Sequence, residues 1–218
     1  MAKFNACLVC WEISAQFSSV RTYLEEVEKS WPDVEGRLRT ESQEGLTDMG
    51  KMADEHEFQI ELQILEHIIE VDLPQQAGYV GAILVFTTVE ASFKRLVAHL
   101  IKDGRAKLDL SAFAGGLLQK IDRFLSVDEL AELTGDEKSW LTEFSRIRNC
   151  IVHAAGDTRS EGEKTLKHIE NSDGLSIDMD FLVVSYSYVM EHLTRFEKMF
   201  KRLLSQLGYE NRPLQETP

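Results

Sequence analysis

The segment Ser139-Trp140-Leu141-Thr142-Glu143-Phe144-Ser145-Arg146-Ile147-Arg148-Asn149-Cys150-Ile151-Val152-His153-Ala154-Ala155-Gly156 repeats apolar side chains with helical spacing and then meets a glycine. Leu141, Phe144, Ile147 and Ile151 fall on one flank, so the pattern predicts an amphipathic helix that begins near Asp136. Gly156 ends it, and a polar, exposed loop is expected from Asp157 to Asp173. Close to that end stand Arg148, Asn149 and His153. Arg148 is a permanent cation, His153 exchanges a proton near neutral pH, and Asn149 both donates and accepts hydrogen bonds. Such groups suffice for phosphodiester chemistry without a metal. One obstacle is geometric: residues five apart on a regular helix point about 140° away from each other, so Arg148 and His153 do not share a face, whereas Asn149 and His153 do. Unwinding of the last turn, or two copies of the motif side by side at a two-fold interface, would bring them together.

Outward from this segment the chain reads as helices. Four prolines, Pro32, Pro74, Pro213 and Pro218, punctuate it sparsely, and the stretches between them show helical periodicity rather than alternation. The expected fold is all-α, an up-and-down-type helical bundle. A first helix is predicted from Ile13 to Ser30, with Phe17, Val20, Leu24, Val27 and Trp31 on its apolar face and Pro32 as its stop. Residues 33–54 are polar and glycine-interrupted and read as loop, weak helix or both. From Asp54 to Glu70, Phe58, Leu62, Leu65 and Ile69 form one stripe and Ile60, Ile64 and Ile68 a second, so this helix calls for neighbours on two sides. After a break at residues 74–78, the segment from Tyr79 to Ile101 is apolar nearly all round in its first half and reads as the buried central helix. Ser111 is expected to cap a helix carrying Leu117, Leu118, Ile121 and Leu125, Ser126 and Glu129 to form a capping box for a short helix to Leu133, and residues 181–207 to form a final amphipathic helix. One all-helical domain is expected over 1–218, with an acidic N-terminal arm at about 1–73 packed on a core at about 74–207.

With these elements in place, the chain resembles the HEPN family, whose helical domains carry an Arg-x4-6-His motif, most often with Asn directly after the Arg. Arg148, Asn149 and His153 match that motif residue by residue. Residues 82–93 are similar to the family's earlier core helix, and residues 174–204 to its closing helix. The resemblance implies a HEPN-like fold, a two-fold homodimer with the motif at its interface, and a metal-independent endoribonuclease of toxin, phage-defence or stress type with Arg148, Asn149 and His153 as catalytic residues. An antitoxin or regulatory protein is a further partner it implies. In that scheme His153 removes the ribose 2′-OH proton, Arg148 stabilises the phosphate, and a 2′,3′-cyclic phosphate results, with DNA spared. The alternative is a catalytically silent helical dimerisation and protein-interaction module, in which Arg148 and His153 bond helix-end carbonyls. Arg146, seven residues before His153, is a candidate support for the cleft. Glu90, a carboxylate in an apolar helix, either anchors an arginine of the motif helix or is exposed. Arg159, Lys164, Lys167 and His168 are candidate phosphate contacts or solubilising charge.

Composition narrows the remaining classes. Of 218 residues 43% are hydrophobic and 28% charged, an ordinary soluble mixture, and no apolar run of membrane-spanning length or secretory leader is read, so a cytoplasmic protein without membrane contact is expected. Net charge −13 opposes phosphate binding, but residues 25–72 hold 15 acidic against 4 basic residues, leaving the remainder near neutrality. That acidic stretch reads as a solvated face, a site for a basic partner, or a mask over the cleft. Cys7 and Cys10 have zinc-like spacing without a second pair, and Cys150 has apolar neighbours, so all three cysteines are expected to pack as small hydrophobes. Glu66, His67 and Glu70 on an acidic helix do not make a convincing metal set, the Arg95/His99 pair lacks a following loop, and no nucleotide-binding glycine loop occurs. No cofactor or metal is expected.

Overall fold

The computed structural model describes residues 8–49, 55–127 and 129–209, and Cys7, Pro213 and Pro218 lie outside them. The chain is mostly helical: α1 (Leu8–Met49), α2 (Glu55–His67), a π turn (Ile68–Asp72), α3 (Leu73–Lys102), a 3-10 turn (Leu110–Ala112), α4 (Leu117–Val127), α5 (Gly135–Ala154), α6 (Glu163–Glu170), a hairpin of β1 (Leu175–Asp178) and β2 (Phe181–Val184), and α7 (Tyr186–Gln206). α3 is the central element, packed against α1, α5 and α7. Its fully buried residues Val85, Val89, Phe93 and Leu100 join one apolar cluster that runs from Val9 in α1 to Leu207 after α7. The first half of α1 therefore belongs to the same core as α3 to α7, while the acidic excess lies on its second half and on α2.

Four expectations are corrected by the backbone. Pro32 does not stop α1, which continues to Met49. The proline removes one helical hydrogen bond, but beyond it Val34 and Leu38 are half-buried and Arg39 donates to Glu35 (2.9 Å) and Glu70 (2.8 Å), so packing against the π turn outweighs a cost of about 3 kcal/mol. Pro74 likewise makes no break: it sits in the first turn of α3, directly after the π turn, where a missing N–H is tolerated. The capping box lies one element later than expected, at Thr134 and Glu137, while Glu129 occupies a left-handed turn with φ 50°. Ser111 caps no α-helix; Asp109 caps the 3-10 turn instead.

A further correction concerns the segment after the motif helix. Residues 157–173 include α6, and residues 175–184 form an antiparallel hairpin rather than the start of the closing helix. Leu175, Leu182 and Val184 are buried and Ser176, Ile177, Asp178 and Phe181 exposed, so β2 alternates while β1 is buried only where Leu175 pairs with Val184. Met179 and Asp180 both have positive φ (45° and 69°), which gives the two-residue turn the twist that matches its strands. Gly174 is required where the hairpin leaves α6, because a Cβ there would stand 2.2 Å from Ser185 Oγ. The Ile60, Ile64 and Ile68 stripe, expected to need a neighbour, remains exposed.

Glu137 and His192 are among the polar residues that the structure buries. Glu137 (4% exposed) is paired with Arg202 of α7, whose Nε donates to Glu137 Oε1 at 2.7 Å. His192 is stacked on Phe144 (4.9 Å between centroids) and Tyr188 (4.1 Å); its Nδ1 donates to the Tyr188 carbonyl and its Nε2 has no partner among the described residues. Burial pushes its imidazole down to about 4, whereas the unfolded chain accepts that proton near 6.5. The associated stability is full above pH 6.5 and is lost as pH falls toward 4, where it reaches about 3 kcal/mol. Replacing His192 by Phe is expected to flatten this loss: in urea titrations at pH 7 and pH 4.5, H192F should lose about 2 kcal/mol less stability than the wild type. Equal losses would remove His192 as the source.

Candidate functional site around the end of α5

α5 presents its apolar flank to the core through Leu141, Phe144, Ile147, Cys150 and Ile151, which leaves Asn149 and His153 on the opposite, solvent-facing side. The helix stops because Ala155 and Gly156 turn left-handed, with φ 51° and 83°, and both N–H groups donate to the Cys150 carbonyl. Gly156 is obligatory for a second reason. An added Cβ would fall 1.9 Å from Tyr79 Oη.

That contact belongs to a knot of backbone bonds. The Leu182 N–H donates to the Gly156 carbonyl (2.8 Å), and the Leu182 carbonyl accepts from the Tyr79 hydroxyl and from Gln75 Nε2 (3.0 Å). Two residues on, the Thr158 N–H and hydroxyl both donate to the Asp180 carbonyl, at 2.8 and 2.7 Å. Burial pushes the Tyr79 hydroxyl up to about 12, so it remains a donor. α3, the end of α5 and the hairpin are thereby tied together immediately beyond His153.

Within the motif, Arg148 donates through Nη1 to Asn149 Oδ1 (3.0 Å), and its guanidinium lies 5.4 Å from the Phe86 ring centroid. Neither Arg148 nor His153 bonds a helix-end carbonyl among the described residues, and His153 is exposed. The Arg148 guanidinium is thus steered without an ion-pair partner among the described residues. Phe86 was not singled out by sequence, since an aromatic in an apolar helix reads as core. Glu90, one turn beyond Phe86, is half-buried and makes no ion pair among the described residues, so the anchor for Arg148 is the Phe86 ring rather than that carboxylate.

The other candidate residues divide. Arg146 faces α6 and α7, where its charge bears on His168, so α5 separates it from Arg148. His168 is wedged between helices, its Nε2 3.2 Å from the Tyr188 hydroxyl and its Nδ1 3.1 Å from Ser172 Oγ, and burial lowers its pKa; it is a packing residue. Arg159 folds back on Asp157, its backbone N–H and Nε each donating to Oδ1 at 2.9 and 3.0 Å, which holds the Asp157 carboxyl down at about 2. Lys167 pairs with Glu163 (2.6 Å), and Lys164 is exposed. Cys150 is buried and burial raises its thiol to about 12, too high for nucleophilic work at neutral pH. Cys10, also buried, donates to the Tyr209 carbonyl (3.0 Å). Of the acidic-helix trio, Glu70 bonds Arg39, and His67 lies 3.7 Å from Asp72 instead.

Beside Ala155 opens a hollow of about 260 Å³, bordered by Gln75, Asp178, Met179 and Phe181. Met179 is 78% exposed and Phe181 41%, so a loose apolar rim adjoins the end of the motif helix.

No family model matches the chain, and no curated protein or solved structure is detectably similar to it. Among the described residues no helix is long and apolar enough to cross a membrane.

The knot sets a test. Gly156→Ala is expected to cost about 2 kcal/mol or more in urea denaturation, since it combines a left-handed backbone with a collision, and Tyr79→Phe about 1–2 kcal/mol by removing a buried donor. A neutral Gly156→Ala would mean that the hairpin does not hold the end of α5.

Proposed function

We propose that the chain is a HEPN-type, metal-independent endoribonuclease that acts as a two-fold homodimer. The observation that carries this reading is the state of the motif: Arg148 is steered by Phe86 and Asn149 yet keeps its charge uncompensated, and His153 stands exposed without a bond among the described residues. A residue serving only to cap the helix would be engaged with its carbonyls. In one chain the helix keeps Arg148 and His153 about 140° apart, so a second copy across a two-fold axis supplies the missing proximity.

In the proposed reaction His153 takes the proton of a ribose 2′-OH and the oxygen attacks the adjacent phosphorus. Arg148 neutralises the charge that builds on the phosphate oxygens, and Asn149 orients the phosphate. The bond from phosphorus to the 5′-oxygen breaks, and that oxygen leaves with a proton given by a second His153 across the axis. The products are a 2′,3′-cyclic phosphate and a 5′-hydroxyl. Requirement for the 2′-OH spares DNA. The exposed Phe181 is suited to stack an unpaired base, which favours single-stranded RNA. Lys164, in the first turn of α6, is the candidate cation left for phosphate, since Arg159 and Lys167 are engaged with Asp157 and Glu163. A cytoplasmic toxin, phage-defence or stress role, held in check by an antitoxin or regulatory protein, accords with this chemistry.

A second reading, a silent dimerisation and protein-interaction module, is favoured by the exposed Ile60, Ile64 and Ile68 stripe on an acidic helix, a surface fitted to a basic amphipathic partner. The deciding experiment incubates purified protein with total RNA and tRNA in EDTA. Wild type should cleave RNA, not DNA, and leave cyclic phosphate ends, while His153→Ala should fall at least about 100-fold with an unchanged melting curve. Intact RNA with a dimeric, inhibitor-free wild type would favour the module.

A further inference from the structure

A second concavity, of about 700 Å³, lies between α1, the start of α3, the hairpin and the start of α7, and meets the hollow beside Ala155 at Gln75 and Asp178. That volume is within the range of sites that enclose a small molecule. Its floor is apolar, made by Leu24, Val184 and Val189, and the absence of a side chain at Gly81 keeps it open, with Val189 Cγ1 only 3.2 Å from where a Cβ would stand. Trp31 and Tyr186 contribute aromatic surface, and the Tyr186 hydroxyl lies beside Glu28.

Charge selects the occupant. Among the described residues no lysine, arginine or histidine lines the cleft, whereas Glu28, Glu70 and Asp178 do. Glu70 is taken by Arg39, and Arg21, whose charge reaches Tyr186, is committed to Glu197 at 3.0 Å. Glu28 and Asp178 have no cationic partner among the described residues and stand at the exposed rim of an otherwise apolar space. An anion would meet two uncompensated carboxylates there, and a neutral hydrocarbon would leave both without a counter-charge. A molecule with an apolar body and one ammonium group satisfies floor and rim together, with the aromatic surfaces adding cation–π attraction. We propose that this cleft is a binding site for a small amphiphilic cation.

The proposal is independent of the ribonuclease reading and is tested without activity. Full-length protein at pH 7 is titrated by calorimetry with octylammonium, octanol and octanoate below their aggregation limits, with fluorescence followed in wild type and Trp31→Phe. Octylammonium is expected to bind one to one and to change a signal that Trp31→Phe abolishes, with octanol at least about tenfold weaker and octanoate silent. The rim variant Glu28→Gln/Asp178→Asn, which leaves the core untouched, should weaken octylammonium about tenfold, and Ala77→Phe, which fills the cleft, should eliminate it. Equal affinity for octanol, insensitivity to the rim variant, or no binding by a folded wild type overturns the proposal. So does a change of oligomeric state in Ala77→Phe, measured by sedimentation, because the cleft would then be a protein interface.

Discussion

The backbone of Leu182 makes the contacts on which the placement of the candidate site depends. Its N–H closes on Gly156 and its carbonyl receives Tyr79 and Gln75, so one residue of a short hairpin ties the last turn of α5 to the first turns of α3. Buried backbone groups of this kind must find partners, and here the partners come from three separate elements. The position of His153, three residues before Gly156, is therefore set by long-range bonds rather than by helix propensity. α5 is also capped at its start by Thr134 and Glu137, the latter held by Arg202, so both ends of the motif helix are defined by contacts outside it.

Sequence periodicity was enough for what depends on apolar spacing. The central helix, the motif helix, the closing helix apart from its expected first residues 181–185, and the buried state of Cys10 and Cys150 follow from burial of recurring side chains, and the structure has them. What escaped is governed by contacts far apart in sequence. Pro32 is tolerated because residues 34–39 pack on the π turn, which no local rule reveals. The hairpin lacks the Asn-Gly or Asp-Gly signal of its turn type and uses Met179 and Asp180 instead, so it was absorbed into the following helix. At the candidate site, Arg148, Asn149 and His153 were legible by residue type and spacing. The ring that steers Arg148 was not, since Phe86 is indistinguishable from a core residue until α3 and α5 are docked.

The same docking decides which charges are available. Arg159, Lys167 and His168 looked alike as loop cations, but one is folded on Asp157, one is paired along α6 and one is packed between helices. Short-range acidic partners thus silence much of the positive charge near α5 and leave Arg148 as the distinctive one. Phosphate affinity would accordingly rest on few contacts and depend only shallowly on salt.

α1 spans 42 residues, about 63 Å at 1.5 Å per residue, yet its fully buried apolar side chains end at Leu24. Seventeen residues, about 25 Å of helix, extend beyond Pro32. A proline removes one rung of the helix, and here the loss is bridged from the side, through Arg39 of the outer segment to Glu70 of the π turn. Trp31, Pro32 and Glu70 all form part of the cleft wall, so the Arg39–Glu70 pair that holds the outer segment of α1 also fixes one edge of the cleft.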